Sequence, residues 1–204
     1  MDLMQRRRQL MCMQSELPSA YRRVGYIESS ERDNTHINTG VLLSENIVFE
    51  IDFQIVSTIQ RSKYFMGQYS GTTFFMYVAG SNENPLLQTS FGTNWQTTDI
   101  SLDQNRHIYR YWIENGEMKL SDNGSIGFSK SFSELSDKPL LVAGSWRGNQ
   151  LSCRTYRSTI NKNGVVVQNL IPCVRKSDNK PGMYDTVSKT FYTNAGAGEF
   201  IVPV

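Results

Sequence analysis

The sequence predicts an all-β protein, a two-sheet antiparallel β-sandwich that follows a short N-terminal arm or helix. Short runs rich in Val, Ile, Tyr, Phe and Thr begin at residue 17, and Gly, Asn, Asp and Ser separate them about every ten residues. Length agrees, because sandwiches of roughly 200 residues commonly form one domain and this chain has 204. We therefore expect an arm at 1–16 and a sandwich domain at 17–204.

Alternating apolar and mostly polar residues define the clearest predicted strand, 46–56, and give it one core face and one polar face. Two hairpins are predicted, 107–113 with 117–121 through Asn115 and Gly116, and 151–160 with 165–173. Further predicted strands are 23–28, 36–41, 64–69, 74–79, 87–92 and 140–146. About a dozen strands with regular turn signals indicate a sandwich rather than an α/β fold.

Charge and composition argue against several classes of protein. Lys and Arg number 21 against 19 Asp and Glu, and the formal charge of +2 is too small to indicate a nucleic-acid partner. No apolar stretch approaches the roughly 18 residues of a membrane span, and no signal peptide is recognisable. Cys12, Cys153 and Cys173 form no zinc-ligand spacing. For Cys153 and Cys173, both in predicted strands, a disulfide and two buried free thiols are open alternatives.

Residues 1–16 differ from the rest of the chain, with four Met, three consecutive Arg and no β-branched residue. Their Leu and Met residues recur at i, i+7 and i+8, which predicts an apolar stripe on a helix. Either this arm is an anchor buried in a larger assembly, or it is a frayed terminus. The residues of the predicted assembly arm are Leu3, Arg6, Arg7, Arg8, Leu10 and Met11.

Three stretches carry a family resemblance: YIES and HINTG at 26–40, LIPC at 170–173, and GMYD with FYTNAG at 182–196. Over about residues 17–201 the chain resembles a family of concanavalin A-like, laminin-G-like jelly rolls found in tailed bacteriophages and gut bacteria. The resemblance implies a virion or cell-surface recognition domain and no catalytic residue. The opening departs from the family at Glu31, Arg32 and Asp33, where the family has a Gly-Thr-Gln-type turn. We interpret the closing motif as structural, because its glycines permit tight turns and its aromatic residues close a sandwich edge.

Glu50, Asp52 and Gln54 are hydrolase-like positions on one face of the 46–56 strand. They have the spacing of the ExDxE acids in a jelly-roll family of retaining glucanases. Retaining hydrolysis needs two carboxyl groups about 5 to 5.5 Å apart, one of them the acid/base. Gln54 stands at the acid/base position, and an amide neither donates nor accepts that proton at neutral pH. The sequence therefore predicts no enzyme, with a degenerate or active glycan hydrolase of jelly-roll type as the disfavoured alternative.

No cofactor or metal site is predicted. Neither His36 nor His107 has a Ser, Cys or carboxylate arrangement that resembles a triad, and both are predicted as surface or strand residues. There is no P-loop or dinucleotide fingerprint, and SDNG at 121–124 fits a turn better than a calcium loop.

The tryptophans are the best candidates for a ligand site, because sugars are bound by aromatic faces beside planar hydrogen-bonding groups. Alternation on the 107–113 strand puts Arg110 and Trp112 on its more polar face, with Glu114 just beyond. Core packing is the alternative for each tryptophan. The candidate ligand-binding residues are Trp95, Arg110, Trp112, Trp146 and Arg147.

Together these features predict a non-catalytic module on a phage virion, in the tail, a fibre or the capsid, that binds host-surface glycans. Its expected partners are other virion proteins through the arm, a bacterial surface polysaccharide and further copies of the chain. A structural or decorating virion protein that only makes protein contacts is the first alternative. The predicted location is the virion, with synthesis in the host cytoplasm; a bacterial cell surface is the alternative.

Overall fold

A computed structural model describes residues 17–67, 75–91, 94–131, 134–146 and 149–203. These residues form sixteen strands and contain no helix. In chain order the strands are β1 (Tyr21–Arg23), β2 (Ile27–Glu28), β3 (Ile37–Leu42), β4 (Ile47–Ile55), β5 (Tyr64–Gly67), β6 (Phe75–Gly80), β7 (Pro85–Phe91), β8 (Asn94–Ser101), β9 (Arg106–Glu114), β10 (Glu117–Asp122), β11 (Ser125–Ser131), β12 (Pro139–Val142), β13 (Cys153–Lys162), β14 (Val165–Arg175), β15 (Lys180–Asp185) and β16 (Phe191–Tyr192).

The largest sheet has ten strands in the order β11-β10-β9-β4-β13-β14-β15-β16, with β1 added to β14 and β2 added to β13. A four-stranded sheet, β5 to β8, and the pair β12-β3 complete the strands. Every strand pair is antiparallel. Phe53 of β4 stacks on Phe65 of β5 at 5.6 Å between ring centroids, so the two main sheets face each other. The predicted fold class, a two-sheet antiparallel β-sandwich, is confirmed, and the predicted N-terminal arm or helix lies outside the described residues.

The core lies between these sheets and takes the inward residues of β4 as predicted. The inward residues of β4 are 2% exposed or less, because the two-residue period of a strand sends them all to one face. They are Ile47, Phe49, Ile51, Phe53 and Ile55. The opposite side of the ten-stranded sheet, called the outer face below, carries the alternating residues of β4.

Several strand predictions were wrong in detail. Residues 23–28 are not one strand, since β1 pairs with β14 and β2 with β13. The strand predicted at 140–146 ends at Val142, where Ala143 (φ 58°) and Gly144 (φ 139°) leave the β region. β8 and β11 were missed because their mostly polar sequences lack the apolar alternation on which strand prediction depends.

The segment containing β1 and β2 enters the ten-stranded sheet where β13 and β14 diverge. β13 pairs with β14 at 158–162 but with β2 at 154–155, and β14 pairs with β1 at 173–175. A β-bulge between Thr155 and Arg157 marks the divergence. Thr155 and Ser158 are buried on the core side, so the extra residue leaves both Tyr156 and Arg157 on the outer face.

The opening and closing motifs meet in a contact that we call the motif seam, formed by Asn34, His36, Asn194 and Gly196. Asn194 Oδ1 accepts hydrogen bonds from the backbone N–H groups of His36 (2.9 Å) and Gly196 (3.0 Å). A Cβ on Gly196 would overlap the carbonyl oxygen of Asn34, so only glycine permits this approach. The seam supports the structural interpretation of the closing motif.

Asp185, which ends GMYD, is 1% exposed and organises the next turn. Its carboxylate accepts hydrogen bonds from the backbone N–H groups of Asn169 (2.9 Å), Val187 (3.0 Å) and Ser188 (3.3 Å), and from the Ser188 hydroxyl (2.6 Å). These donors compensate the cost of burying a carboxylate. This residue too is structural.

Cys153 and Cys173 are buried free thiols, so the disulfide alternative is wrong. Burial raises the pKa of the Cys173 thiol to about 12, even though a backbone hydrogen bond at Tyr184 opposes the shift. A thiol in this state is a poor nucleophile at neutral pH. In the described residues no helix is long and apolar enough to cross a membrane.

Candidate functional site

The outer face of β9 has the composition that alternation predicted. Arg110 and Glu114 are exposed and Trp112 is half-buried, while Tyr109, Tyr111 and Ile113 point to the core and are 2% exposed or less. The prediction that Arg110, Trp112 and Glu114 share the more polar face is therefore confirmed.

A shallow concavity of about 260 Å³ lies beside the Trp112 ring, and we call it the Trp112 concavity. It forms where β9 lies against β4, with Trp112 opposite Val48 and Arg110 opposite Glu50. The Arg110 guanidinium carbon is 5.5 Å from the centroid of the Trp112 ring, within cation–π range. The residues that line the Trp112 concavity are Asn46, Val48, Arg110, Trp112, Ile113 and Glu114.

Charged groups surround this concavity, and acids outnumber bases. Lys119 Nζ lies 3.5 Å from Glu114 and 3.7 Å from Glu117, so one ammonium is shared by two carboxylates. Arg110 faces Glu50 across the strands but forms no ion pair with a described carboxylate. A half-buried indole with guanidinium and carboxylate groups around it can hold a sugar ring, because these groups donate hydrogen bonds to the sugar hydroxyls and accept hydrogen bonds from them.

A second feature of the outer face is a stack of two tyrosines and two arginines, called the tyrosine–arginine ladder. Arg154 lies 4.4 Å from the centroid of the Tyr26 ring, and Tyr26 meets Tyr156 edge to face at 5.8 Å. Arg106 lies 3.8 Å from the centroid of the Tyr156 ring. Edge-to-face rings and cation–π contacts are favourable geometries, so the ladder is an ordered row across the sheet.

Acidic and amide side chains hold the two ends of the ladder. Both oxygens of Asp52 accept hydrogen bonds from Arg106 at 2.6 Å, and Glu28 accepts one from Arg154 at 2.8 Å. The hydrogen bond to Asp52 raises the pKa of Arg106, although desolvation opposes this. Gln54 accepts a hydrogen bond from the Tyr156 hydroxyl at 2.8 Å.

The hydrolase-like positions Glu50, Asp52 and Gln54 share the outer face, as predicted. Asp52 is committed to a bidentate pair with Arg106, and both ends of the Gln54 amide are bonded, to Tyr156 and to the carbonyl of Gln104. Both oxygens of Asp52 are therefore occupied, and Gln54 supplies no proton. This arrangement suits a fixed binding surface better than acid/base chemistry.

Of the other predicted ligand residues, Trp146 does not join this site. Trp146 is 47% exposed, but its backbone N–H donates to Gly67 of β5, so it belongs to the opposed sheet. Trp95 lies on β8, and its side chain is outside the description. The ligand role of Trp95 stays a prediction, and so does that of Arg147, which lies outside the described residues. The residues of the predicted assembly arm also lie outside them and stay predictions: Leu3, Arg6, Arg7, Arg8, Leu10 and Met11.

Sequence reasoning missed the residues of the ladder. Strict alternation would send Arg157 to the core side if Tyr156 faces outward, whereas the bulge in β13 turns both outward. The available signal was the run Arg154, Thr155, Tyr156, Arg157, which has too few apolar residues for an ordinary half-buried strand. Tyr26 reaches the ladder through long-range pairing, which local sequence does not reveal.

The prediction of a surface or strand residue is confirmed for His107, which lies on β9, and is wrong for His36, which is buried just before β3. His107 is held between two carboxylates, with Nε2 2.8 Å from Asp103 and Nδ1 2.8 Å from Asp122. Burial lowers the pKa of His107, but the hydrogen bonds and charges of Asp103 and Asp122 outweigh it and raise the pKa. His36 is buried in the motif seam, where desolvation lowers its pKa. Among the described residues, no group of three or more His, Cys, Asp or Glu side chains is arranged to hold a metal ion.

Solved structures that resemble the chain include a β-1,3-glucanase from Mycobacterium marinum, at 11% identity and a TM-score of 0.41. That likeness covers 61% of this chain and 66% of the glucanase chain, so just under two thirds of its length is spanned. The galectin LEC-6 from Caenorhabditis elegans has 10% identity and a TM-score of 0.38, over 65% of this chain and 98% of the galectin. No family model and no curated protein matches the sequence. The function of the protein is therefore inferred from the side chains on the outer face of the ten-stranded sheet.

Proposed function

We propose that this protein is a non-catalytic carbohydrate-binding module of a phage virion surface, and that it binds host-surface glycans on the outer face of the ten-stranded sheet. The observation that carries the proposal is the Trp112 concavity, a half-exposed indole beside Arg110 and Glu114. A sugar ring lies on the indole with its apolar face, and its hydroxyls bond to the charged groups at the rim.

The absence of catalysis is part of the proposal. It is supported by the Arg106–Asp52 pair and by Gln54 at the position where a retaining glucanase needs an acid. Reducing-sugar release from a bound polysaccharide that disappears in Glu50→Gln would contradict it. Unchanged polysaccharide after prolonged incubation with the wild type is the expected result.

The virion setting is supported by the resemblance of the opening and closing motifs to phage and gut-bacterial jelly rolls. Residues 1–16, the proposed anchor, lie outside the described residues. A chain without residues 1–16 should fail to enter the parent particle while still binding glycan. Normal incorporation of that chain would show that the anchor lies elsewhere.

The central test is Trp112→Ala on an array of bacterial surface polysaccharides. We expect binding to fall about 30-fold, because truncating a central aromatic contact typically costs about 2 kcal/mol. Trp146→Ala is the matched control, since it removes an exposed indole from the opposed sheet and should keep wild-type binding. Thermal melting of both variants checks that the fold is intact.

Two outcomes would overturn the proposal. Wild-type protein that binds no polysaccharide on the array would favour a structural role through protein contacts. Loss of binding in Trp146→Ala, with Trp112→Ala unaffected, would move the site to the other sheet.

A further inference from the structure

The two halves of the outer face differ in charge. Around the Trp112 concavity, Glu50, Glu114 and Glu117 outnumber the cations Arg110 and Lys119. Around the ladder the balance is reversed. The guanidinium groups of Arg106, Arg154 and Arg157 outnumber the carboxylates of Asp52 and Glu28. A glycan lying across both halves therefore meets two different electrostatic environments.

Arg157 is the cation in excess at the ladder. Arg106 and Arg154 each have a carboxylate partner, Asp52 and Glu28 respectively. Arg157 instead donates from Nε to an amide oxygen, Asn169 Oδ1, at 3.0 Å, and forms no ion pair with a described carboxylate. A half-buried guanidinium that forms no ion pair is a ready partner for an incoming anion.

The position of Arg157 is fixed by its surroundings. It lies directly opposite Asp52 in the β13–β4 register, and Asp52 holds Arg106 on its other side. The β-bulge that turns Arg157 outward also sets Tyr156 beside it, where the ring packs under Arg106. An anion at this point is close to the flat donor edge of Arg157, whereas Asp52 offsets most of the charge of Arg106.

The spacing of the two halves sets the size of the ligand. Trp112 lies opposite Val48, and Arg157 lies opposite Asp52, four residues further along β4. At roughly 3.3 Å per residue the separation along the strand is about 13 Å. One sugar ring cannot cover both points, whereas an oligosaccharide can.

We propose that the ladder end of the outer face is a subsite for a carboxylate-bearing sugar, with Arg157 as its anion-binding residue, so that the ligand is an acidic oligosaccharide. This inference rests on the proposed glycan-binding function and specifies its substrate class. The neutral part of the glycan lies on Trp112, and the acidic sugar lies near Arg157 and Arg106.

The test uses the full chain on bacterial polysaccharides that contain uronic acids, each printed beside its carboxyl-reduced form. Reduction turns the carboxylate into a hydroxymethyl group and leaves the backbone of the polymer intact. We expect the reduced form to bind about tenfold more weakly, as for loss of one hydrogen bond between charged groups. Arg157→Gln should remove this preference and still bind the reduced form, and Arg157→Lys should restore part of it. Arg61→Gln, an exposed arginine between β4 and β5, is the matched control and should keep the preference.

Each contrary outcome has a distinct meaning. Equal binding of the two forms by the wild type, with loss of both in Trp112→Ala, would overturn the acidic subsite and leave the proposed function standing. Equal loss of both forms in Arg157→Gln would show a structural role for Arg157 and overturn the inference. No binding to any polymer would overturn the proposed function and the subsite together.

Discussion

The motif seam and the tyrosine–arginine ladder are both rich in polar side chains, but they hold them in opposite ways. In the seam, Asn194 and His36 bond chiefly to backbone groups, and Gly196 lies against the Asn34 carbonyl. In the ladder, side chains bond to side chains, and Arg106 is 54% exposed. The seam cannot exchange its partners without opening the backbone. The ladder can exchange one side-chain partner for a ligand group.

The largest expected effect is at the seam, in Gly196→Val. The new side chain would overlap the Asn34 carbonyl, so the opening and closing motifs would separate. We expect a loss of about 4 kcal/mol or more in unfolding free energy, measured by denaturant titration. Gly25→Ala is the control, because nothing lies within 4 Å of the added Cβ and stability should change by about 0.5 kcal/mol or less. Similar effects in the two variants would contradict this account of the seam.

Asp185→Ala should have the next largest effect, about 3 kcal/mol, because backbone N–H donors from three residues, one of them the buried Asn169, would lose their acceptor. For a domain of this size that corresponds to a fall in Tm of about 6–12 °C. Asp178→Ala is the control. It removes an exposed carboxylate from the turn between β14 and β15 and should shift the Tm far less. If glycan binding were lost while the Tm stayed unchanged, Asp185 would belong to the binding site instead.

His107 is an intermediate case, since it is partly buried but bonded to side chains. Its folded pKa is raised above the unfolded value of 6.5, so the protonated ring stabilises the fold. That stabilisation is complete below about pH 6.5 and is lost as the pH rises through the folded pKa. The Tm difference between the wild type and His107→Gln should therefore be largest near pH 5.5 and shrink towards pH 9. A difference that is constant across this range would refute the paired imidazolium.

The smallest effect on stability is expected for Asp52→Asn in the ladder. The change removes an exposed ion pair and leaves the packing intact, so it should cost less than about 1 kcal/mol. Calorimetry measures the stability lost in Asp52→Asn and in Asp185→Ala under the same conditions. A cost as large as that of Asp185→Ala would remove the distinction between exchangeable and structural polar groups.

The alternation of residue types was sufficient to predict which face of a strand a residue occupies, where that depends on one strand alone. Alternation placed Ile51 in the core, and it put Arg110 and Trp112 together on the polar face of β9. Alternation failed to predict contacts that depend on the register between strands distant in sequence. Tyr26 and Tyr156 are 130 residues apart in sequence and meet only because β2 pairs with β13, and the bulge that exposes Arg157 depends on the pairing with β4.

Chemistry was harder to anticipate than topology. The interpretation of Gln54 needed only its residue type, but the commitment of Asp52 to Arg106 follows from the contact between β4 and β9. The carboxylates around His107 come from a loop and from β10, and no spacing in the sequence shows that they converge. Trp112 and Trp146 look equivalent as sequence and lie in different sheets.

The entry of β1 and β2 between β13 and β14 has a consequence for synthesis of the protein. Glu28 exchanges both backbone hydrogen bonds with Ile201, so the segment made early cannot complete its pairing until a residue 173 positions later has been made. Such distant pairing makes folding slow, and until it is complete the nascent chain carries open strand edges. We therefore expect folding to finish only after Ile201 has been made, and to depend until then on chaperones that shield those edges.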